Sequence, residues 1–157
     1  MQLIASTEHF DVEGSTQAAR SMIGLGPGVT PSGDDILIGF LMSLWSRAKE
    51  NPARLSFLHT FGEILMRIAA QTSEISRTYL YHATQGHFSS SLSNLAEAIA
   101  SNRNVESATQ MAMRVGHSSG MDAVTGLLMG LRLWNLWTPV AVRGGDNHLV
   151  RPHKEHL

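Results

Sequence analysis

Residues 32–44 read SGDDILIGFLMSL, and residues 119–131 read SGMDAVTGLLMGL. Seven of the thirteen aligned positions are identical, at a constant offset of 87 residues. Each copy begins with Ser-Gly-x-Asp and continues, after three more residues, with Gly and an apolar run, which predicts the start of a buried helix. We therefore expect two related helical hairpins that form an internal pseudo-repeat.

The first residues of each copy fit a helix N-terminus. Ser can cap the helix while Asp, three positions later, reaches back to the Ser amide in a capping box. Gly33 and Gly120 in the first turn leave room for a ligand or another backbone, and Gly39 and Gly126 allow close helix packing. Because an exposed helix N-terminus attracts anions, we predict a small-anion site where the two helix starts meet.

Helix signals dominate the rest of the chain. We predict an all-α fold of about six or seven helices in a single domain over residues 1–143, and a disordered tail over 144–157, which has no apolar periodicity. The expected helices cover residues 15–23, 33–49, 54–70, 75–84, 92–100, 105–115 and 120–137.

Composition narrows the class of protein. The formal net charge of the 157 residues is -1 and Lys and Arg are scattered, which argues against a nucleic-acid partner. Without cysteine or a signal peptide, a reducing cytoplasm is the expected location, and the longest apolar run (36–45) is too short to cross a membrane. With 16% charged and 43% hydrophobic residues, the chain is expected to form a homo-oligomer or to join a larger complex.

The loop GLGPGVTP at residues 24–31 does not fit the common nucleotide motifs. A helix rather than a strand is predicted before it, which excludes a dinucleotide fold, and no Gly-Lys-Ser/Thr follows, which excludes a P-loop. Two interpretations remain, a nest of backbone N–H groups for an anion and a purely structural turn.

The carboxylates of Asp34, Asp35 and Asp122 also have two interpretations. Capping explains Asp35 and Asp122, whereas a Mg²⁺ site would use all three, because hard cations take oxygen ligands. No His-Glu-x-x-His spacing indicates catalytic zinc.

Hydroxyl and glycine residues near these acids are candidates for substrate binding. His117 occupies the position of Thr30 in the second copy, so His117, Asp35 and Asp122 are the candidate catalytic residues. The candidate binding residues are Gly26, Gly28, Thr30, Ser32, Gly33, Thr72, Ser73, Ser76, Ser119 and Gly120.

Three segments together resemble the AllH-like bacterial family, long catalogued as a domain of unknown function. They are GLGPGVTPSGDD at 24–35, TSEIS at 72–76 and GHSSGMD at 116–122, and they occur in the order typical of the family. The resemblance covers most of residues 22–134. Family members are usually longer, so the resemblance implies that this chain corresponds to their C-terminal helical part.

The resemblance implies a subunit of oxamate carbamoyltransferase, in purine and allantoin breakdown. That enzyme interconverts oxalurate plus phosphate with oxamate plus carbamoyl phosphate, so the implied ligands are small anions and the implied partners are other subunits of the enzyme. Two alternatives stay open: a non-catalytic assembly subunit, and a Mg²⁺-dependent hydrolase that uses the same acids.

Overall fold

The computed structural model describes residues 2–48 and 51–133, which are helical and contain no strand. A 3₁₀ turn at Ala69–Gln71 separates the fourth and fifth helices. None of the described helices is long and apolar enough to cross a membrane. The helices are α1 (Gln2–Glu8), α2 (Val12–Arg20), α3 (Ser32–Ala48), α4 (Pro52–Ile68), α5 (Glu74–Thr84), α6 (Ser90–Ser101), α7 (Val105–Met113) and α8 (Ser119–Gly130).

Polar side chains set the starts of four helices. Asp11, Asn51, Ser73 and Ser89 each accept a hydrogen bond from a backbone N–H in the first turn of α2, α4, α5 and α6, respectively. These bonds satisfy donors that have no partner inside the helix. Pro52 begins α4, where its missing N–H costs nothing.

Helix α3 lies at the centre of the fold and contacts α4, α5, α6 and α8. Its side chains Leu37, Phe40, Leu41 and Leu44 are fully buried. They belong to a core that extends over helices α1 through α5. A second apolar cluster lies between α6, α7 and α8. Ile38 of α3 contacts both clusters, so the central helix connects the two parts of the interior.

Helices α3 and α8 pack through the glycines of the repeat. A side chain at Gly39 would overlap the carbonyl of Ala123, and one at Gly126 would overlap the carbonyl of Ile36. The two contacts exchange when residue numbers are shifted by 87, so the helices are related by a pseudo-twofold axis. The predicted all-α fold and the close helix packing at these glycines are confirmed.

The capping-box prediction at the repeats is wrong. Ser32 and Ser119 are the first residues of α3 and α8 rather than their caps, and Ser118, the N-cap of α8, makes no side-chain cap hydrogen bond. In α3 the Pro31 carbonyl accepts from the amides of Asp34 and Asp35, so the backbone closes the first turn by itself.

The first and the last of the described helices differ from the prediction. Helix α1 was not expected, because its residues QLIASTE show too little apolar periodicity. Helix α8 ends at Gly130, short of the predicted end near residue 137. Residues 134–157, which include the predicted tail, lie outside the described residues.

Candidate functional site

A cavity of about 550 Å³ opens between α3, α5, α6 and α8. Its apolar wall includes Ile38, Phe88, Leu92 and Ala123. Its volume lies in the range typical of sites for small organic ligands. Half of its sixteen lining residues have polar side chains that can orient a ligand through specific contacts: Thr30, Asp35, Tyr79, His82, His87, Ser89, Ser91 and Ser119.

The two repeated motifs meet at this cavity. The hydroxyl groups of Thr30, just before α3, and Ser119, at the start of α8, share a hydrogen bond of 2.8 Å. Both residues line the cavity, together with Gly116 and Gly120 of the second motif. Gly120 has no space for a side chain, because a Cβ there would overlap the Ala112 carbonyl.

Asp35 is the buried acid of the cavity. Its side chain is 6% exposed, and its Oδ2 atom has no hydrogen-bond partner. Burial raises the pKa of Asp35, the nearby hydroxyls of Ser119 and Thr30 oppose the rise, and the charges of Asp122 and Asp34 add to it, so that the pKa is about 6. A carboxyl group with such a pKa can change its protonation state close to neutral pH.

Asp34 is directed away from the cavity and holds the glycine loop. It is fully buried; its Oδ1 accepts from the Gly24 amide at 2.9 Å and its Oδ2 from the Thr72 hydroxyl. Ser73 adds a hydrogen bond from its hydroxyl to the Val29 carbonyl. The loop is therefore fastened both to the start of α3 and to the segment before α5.

The predicted magnesium ligands do not converge. Among residues 2–48 and 51–133, no group of three or more His, Cys, Asp or Glu side chains is arranged to hold a metal ion. Both oxygens of Asp34 are engaged in holding the loop, and Asp122 does not line the cavity. The magnesium site at Asp34, Asp35 and Asp122 stays a prediction that this arrangement does not support.

Of the other predicted residues, those of the glycine loop shape the backbone. Gly26 and Gly28 have φ angles of +120° and +91°, which other residues rarely adopt. Gly33 packs against the Met22 carbonyl, with no space for a side chain. None of these three glycines lines the cavity, and neither does the half-buried Ser32.

The remaining candidates also lie off the cavity wall. Ser73 caps α5, and Ser76 is buried with its hydroxyl unpartnered. His117 is exposed, and like Ser73, Ser76 and Thr72 it does not line the cavity. The structure thus brings Thr30, Asp35, Ser119 and Gly120 together at one cavity, and leaves the other candidates outside it.

The segment HATQGHFSSS at residues 82–91 was missed by sequence reasoning. It includes the end of α5, the turn that follows and the start of α6, and in it the His87 amide donates to the His82 carbonyl and the two imidazole rings lie 6.5 Å apart. Two histidines and three serines around Gly86, between two predicted helices, indicate a polar loop. They do not indicate that this loop lies next to the repeated motifs.

Comparison with known proteins identifies one family. The family model described as oxamate carbamoyltransferase subunit AllH matches residues 22–131. The chain belongs to the AllH family. The match spans every residue that lines the cavity, from Thr30 to Ala123. No solved structure matches this AllH chain.

Family membership links this AllH chain to oxamate carbamoyltransferase as a subunit, which suggests a complex with other chains. Within the AllH chain, the starts of α6 and α8 both border the cavity, through Ser89 and Ser91 on one side and Ser119 on the other. Backbone N–H groups at such helix starts carry partial positive charge. The cavity therefore combines groups that attract an anion with one buried carboxyl group.

Proposed function

We propose that this chain binds a small anionic substrate of carbamoyl transfer, namely carbamoyl phosphate, phosphate or an oxamate-like anion, in the cavity between α3, α5, α6 and α8. The observation that carries the proposal is that the starts of two 12-residue helices, α6 and α8, border the same cavity. The start of α3, which was expected to share the site with the start of α8, borders the same cavity through Thr30 and Asp35.

The electrostatics of the cavity support an anion at the helix starts. Each helix N-terminus acts as about half a positive charge and has backbone N–H groups without partners inside the helix. Hydroxyl groups of Ser89, Ser91 and Ser119 lie beside them, and His82 and His87 add imidazole N–H donors. Donors fixed in place before the ligand arrives are the arrangement that stabilises phosphate and carboxylate groups.

Carbamoyl transfer suits such a site. The donor is already activated, so the protein contributes mainly by positioning the two reactants and by stabilising the charge that develops on oxygen. No side-chain nucleophile is required for this chemistry, in agreement with a sequence that has no cysteine.

An assembly role in the hetero-complex is the second candidate. Leu25 and Val29 in the glycine loop are 62% and 64% exposed. Met121 and Leu128 are exposed and lie seven residues apart on α8, which places them on one face of the helix. Exposed apolar side chains that lie together on a surface are typical of subunit contacts. No observation favours the third candidate, the Mg²⁺-dependent hydrolase.

Thermal unfolding of the full chain with phosphate, carbamoyl phosphate or oxamate tests the proposal. A ligand at a hundredfold excess over its Kd adds about 2.7 kcal/mol, which raises Tm by several degrees. We expect such a shift in the wild type and a smaller one in Ser119→Ala. Thr125→Ala, on an exposed position of the same helix, serves as the control and should retain the wild-type shift. No shift with any of the three anions would contradict the proposal and favour the assembly role.

A further inference from the structure

Asp35 and Asp122 occupy equivalent positions in the two repeats, 87 residues apart. Each has one carboxyl oxygen, Oδ2, that is closed off from solvent and has no hydrogen-bond partner. A buried acceptor without a donor is costly, so two of them at equivalent positions need a physical explanation. Because neither oxygen is exposed, a donor for them has to lie in the interior of the protein.

The packing of α3 against α8 places the two acids at the same end of the helix contact. Gly39 lies against Ala123, and further along Ser43 lies against Gly130, so the contacts advance in the same direction along both helices. The two helices therefore begin side by side. Both acids lie in the first turn of their helices, at equal distances from the start.

Ser119 shows which side of α8 faces Asp35. Its hydroxyl group lies next to the Asp35 carboxyl group, and Asp122 follows three residues later on the same face of α8. The charge of Asp122 also acts on Asp35. The carboxyl groups of Asp35 and Asp122 are therefore neighbours across the contact between the two helices.

We infer that Asp35 and Asp122 share one proton across the contact between α3 and α8. The O–H of the Asp35 carboxyl group donates to the Asp122 carboxylate, which gives both buried oxygens a partner. Two ionised carboxylates are acceptors only, so they form this bond only when one of them is protonated. Asp122 thus acts as a positioning residue, which holds the Asp35 carboxyl group in its neutral form at the cavity wall.

No other charged or titratable group near Asp35, among the described residues, takes this place. Asp34, on the same helix, already has a donor for each of its carboxyl oxygens. Tyr79, His82 and His87 face the cavity from α5 and the turn after it, whereas the unpartnered Asp35 oxygen is closed off from the cavity. The residues of α6 and α7 that line the cavity carry no charge.

The shared proton removes a negative charge from the cavity. Asp35 is the one acid among the described residues that line it, and an ionised carboxylate there would repel a bound anion. In its neutral form, Asp35 does not oppose an anion at the starts of α6 and α8. This consequence rests on the proposed function, whereas the shared proton itself does not.

Carbon-13 NMR of the aspartate carboxyl groups in the full chain, titrated between pH 4 and pH 8, tests the shared proton. We expect the Asp122 resonance to move together with the Asp35 resonance near pH 6, because strongly interacting sites titrate as a pair. In Asp122→Asn the new amide donates to the Asp35 carboxylate, so the proton affinity of Asp35 should fall about tenfold or more. Glu106→Gln, which removes an exposed acid of α7, should leave the Asp35 titration unchanged.

Two results would overturn the shared proton. One is an Asp122 resonance that does not change while Asp35 titrates. The other is an unaltered Asp35 titration in Asp122→Asn, since burial alone would then account for the proton on Asp35. The titration of the wild type can refute the inference by itself, so the test does not depend on the folding of the variant.

Phosphate binding at pH 5.5, measured by titration calorimetry, tests the consequence for the cavity. We expect the wild type to bind phosphate more tightly than Asp122→Asn, in which Asp35 is ionised. Both proteins contain His82 and His87 and are measured at one pH, so neither these side chains nor the ligand cause the difference. Equal affinities would overturn the effect of the proton on the anion. If phosphate, carbamoyl phosphate and oxamate bind to neither protein, the proposed function is overturned, while the NMR titration still decides the shared proton.

Discussion

Asp34 and Asp35 are adjacent acids with different surroundings. Neighbouring residues on a helix are directed about 100° apart, so one carboxylate points to the glycine loop and the other to α8 and the cavity. Asp34 has hydrogen-bond donors for both oxygens, whereas Asp35 has one oxygen unpartnered. The same residue type therefore holds a loop at one position and lines the cavity at the next.

Replacing Asp35 with Asn should stabilise the free protein at neutral pH. Its pKa rises from 3.8 to about 6 on folding, so the native state binds more protons than the unfolded state between these values. The stability that Asp35 contributes is complete below pH 3.8 and is lost as the pH rises through 6. We expect Asp35→Asn to gain up to about 3 kcal/mol at pH 7.5 and almost nothing at pH 3.5.

Urea denaturation of Asp35→Asn at the two pH values measures this difference. Glu106→Gln, which neutralises an exposed acid, is the matched control and should show little change at either pH. An equal gain for Asp35→Asn at both pH values would show that the charge of Asp35 is not responsible.

Replacing Asp34 with Ala should be strongly destabilising. The change removes the acceptor of two buried hydrogen bonds, from the Gly24 amide and the Thr72 hydroxyl. Hydrogen bonds to a charged group contribute about 1.5–3 kcal/mol each, so a loss of about 3 kcal/mol in unfolding free energy is expected. Thr72→Val should cost less, since it removes one of the two bonds. A wild-type stability for Asp34→Ala, measured by urea denaturation, would contradict the loop-holding role.

At the scale of helices, the contact between α3 and α8 determines where the site forms. The glycines let the two backbones approach closely, and this approach brings Ser119 to Thr30 and Ala123 to the cavity wall. The repeated glycines are therefore important for the position of the polar groups as well as for packing.

Gly39→Ala should lower the free energy of unfolding. The added methyl group overlaps the Ala123 carbonyl, which belongs to the backbone and cannot move aside as a flexible side chain would. Such overpacking costs about 1–3 kcal/mol. Gly126→Ala should have a similar effect, because its contact with the Ile36 carbonyl is related by the repeat.

Gly62→Ala is the matched control for these variants. Gly62 is also a buried helical glycine, but its nearest neighbour is the Thr84 Cβ at 3.1 Å from an added methyl group, a side-chain contact that can adjust. The higher helix propensity of Ala, about 1 kcal/mol, offsets the strain. If Gly39→Ala and Gly62→Ala have equal stability in thermal unfolding, the α3–α8 contact is looser than described.

At the scale of the whole molecule, the glycine loop connects the cavity with exposed apolar side chains. The glycine loop contributes Thr30 to the cavity and exposes Leu25 and Val29. A partner subunit that covers this loop would therefore lie close to a residue of the cavity.

Val29→Asp should weaken assembly without unfolding the chain. The side chain is 64% exposed, so its replacement should change stability by no more than about 0.5 kcal/mol. A charge in a buried subunit contact is costly, and co-purification with the other carbamoyltransferase subunits should decrease. Gln110→Asp on exposed α7 is the control. An intact complex with Val29→Asp would exclude this loop from the interface.

The sequence by itself determined the helices and the repeat. Helix positions follow from local signals, such as apolar spacing, capping residues and breaks at Gly and Pro, and these act within a few residues. The pairing of Gly39 with α8 was predictable for the same reason, since two small residues at matched positions indicate close packing. The short helix α1 escaped because its local signals are weak.

Only the tertiary structure decided which groups share the cavity. Asp34 and Asp35 have the same local pattern, and their separate directions depend on how α3 packs against α8 and the glycine loop. His82 at the end of α5 and His87 in the α5–α6 turn share the cavity with the second motif only through contacts between helices that are distant in the sequence. Such contacts depend on the packing of many side chains at once, so no local pattern in the chain specifies them.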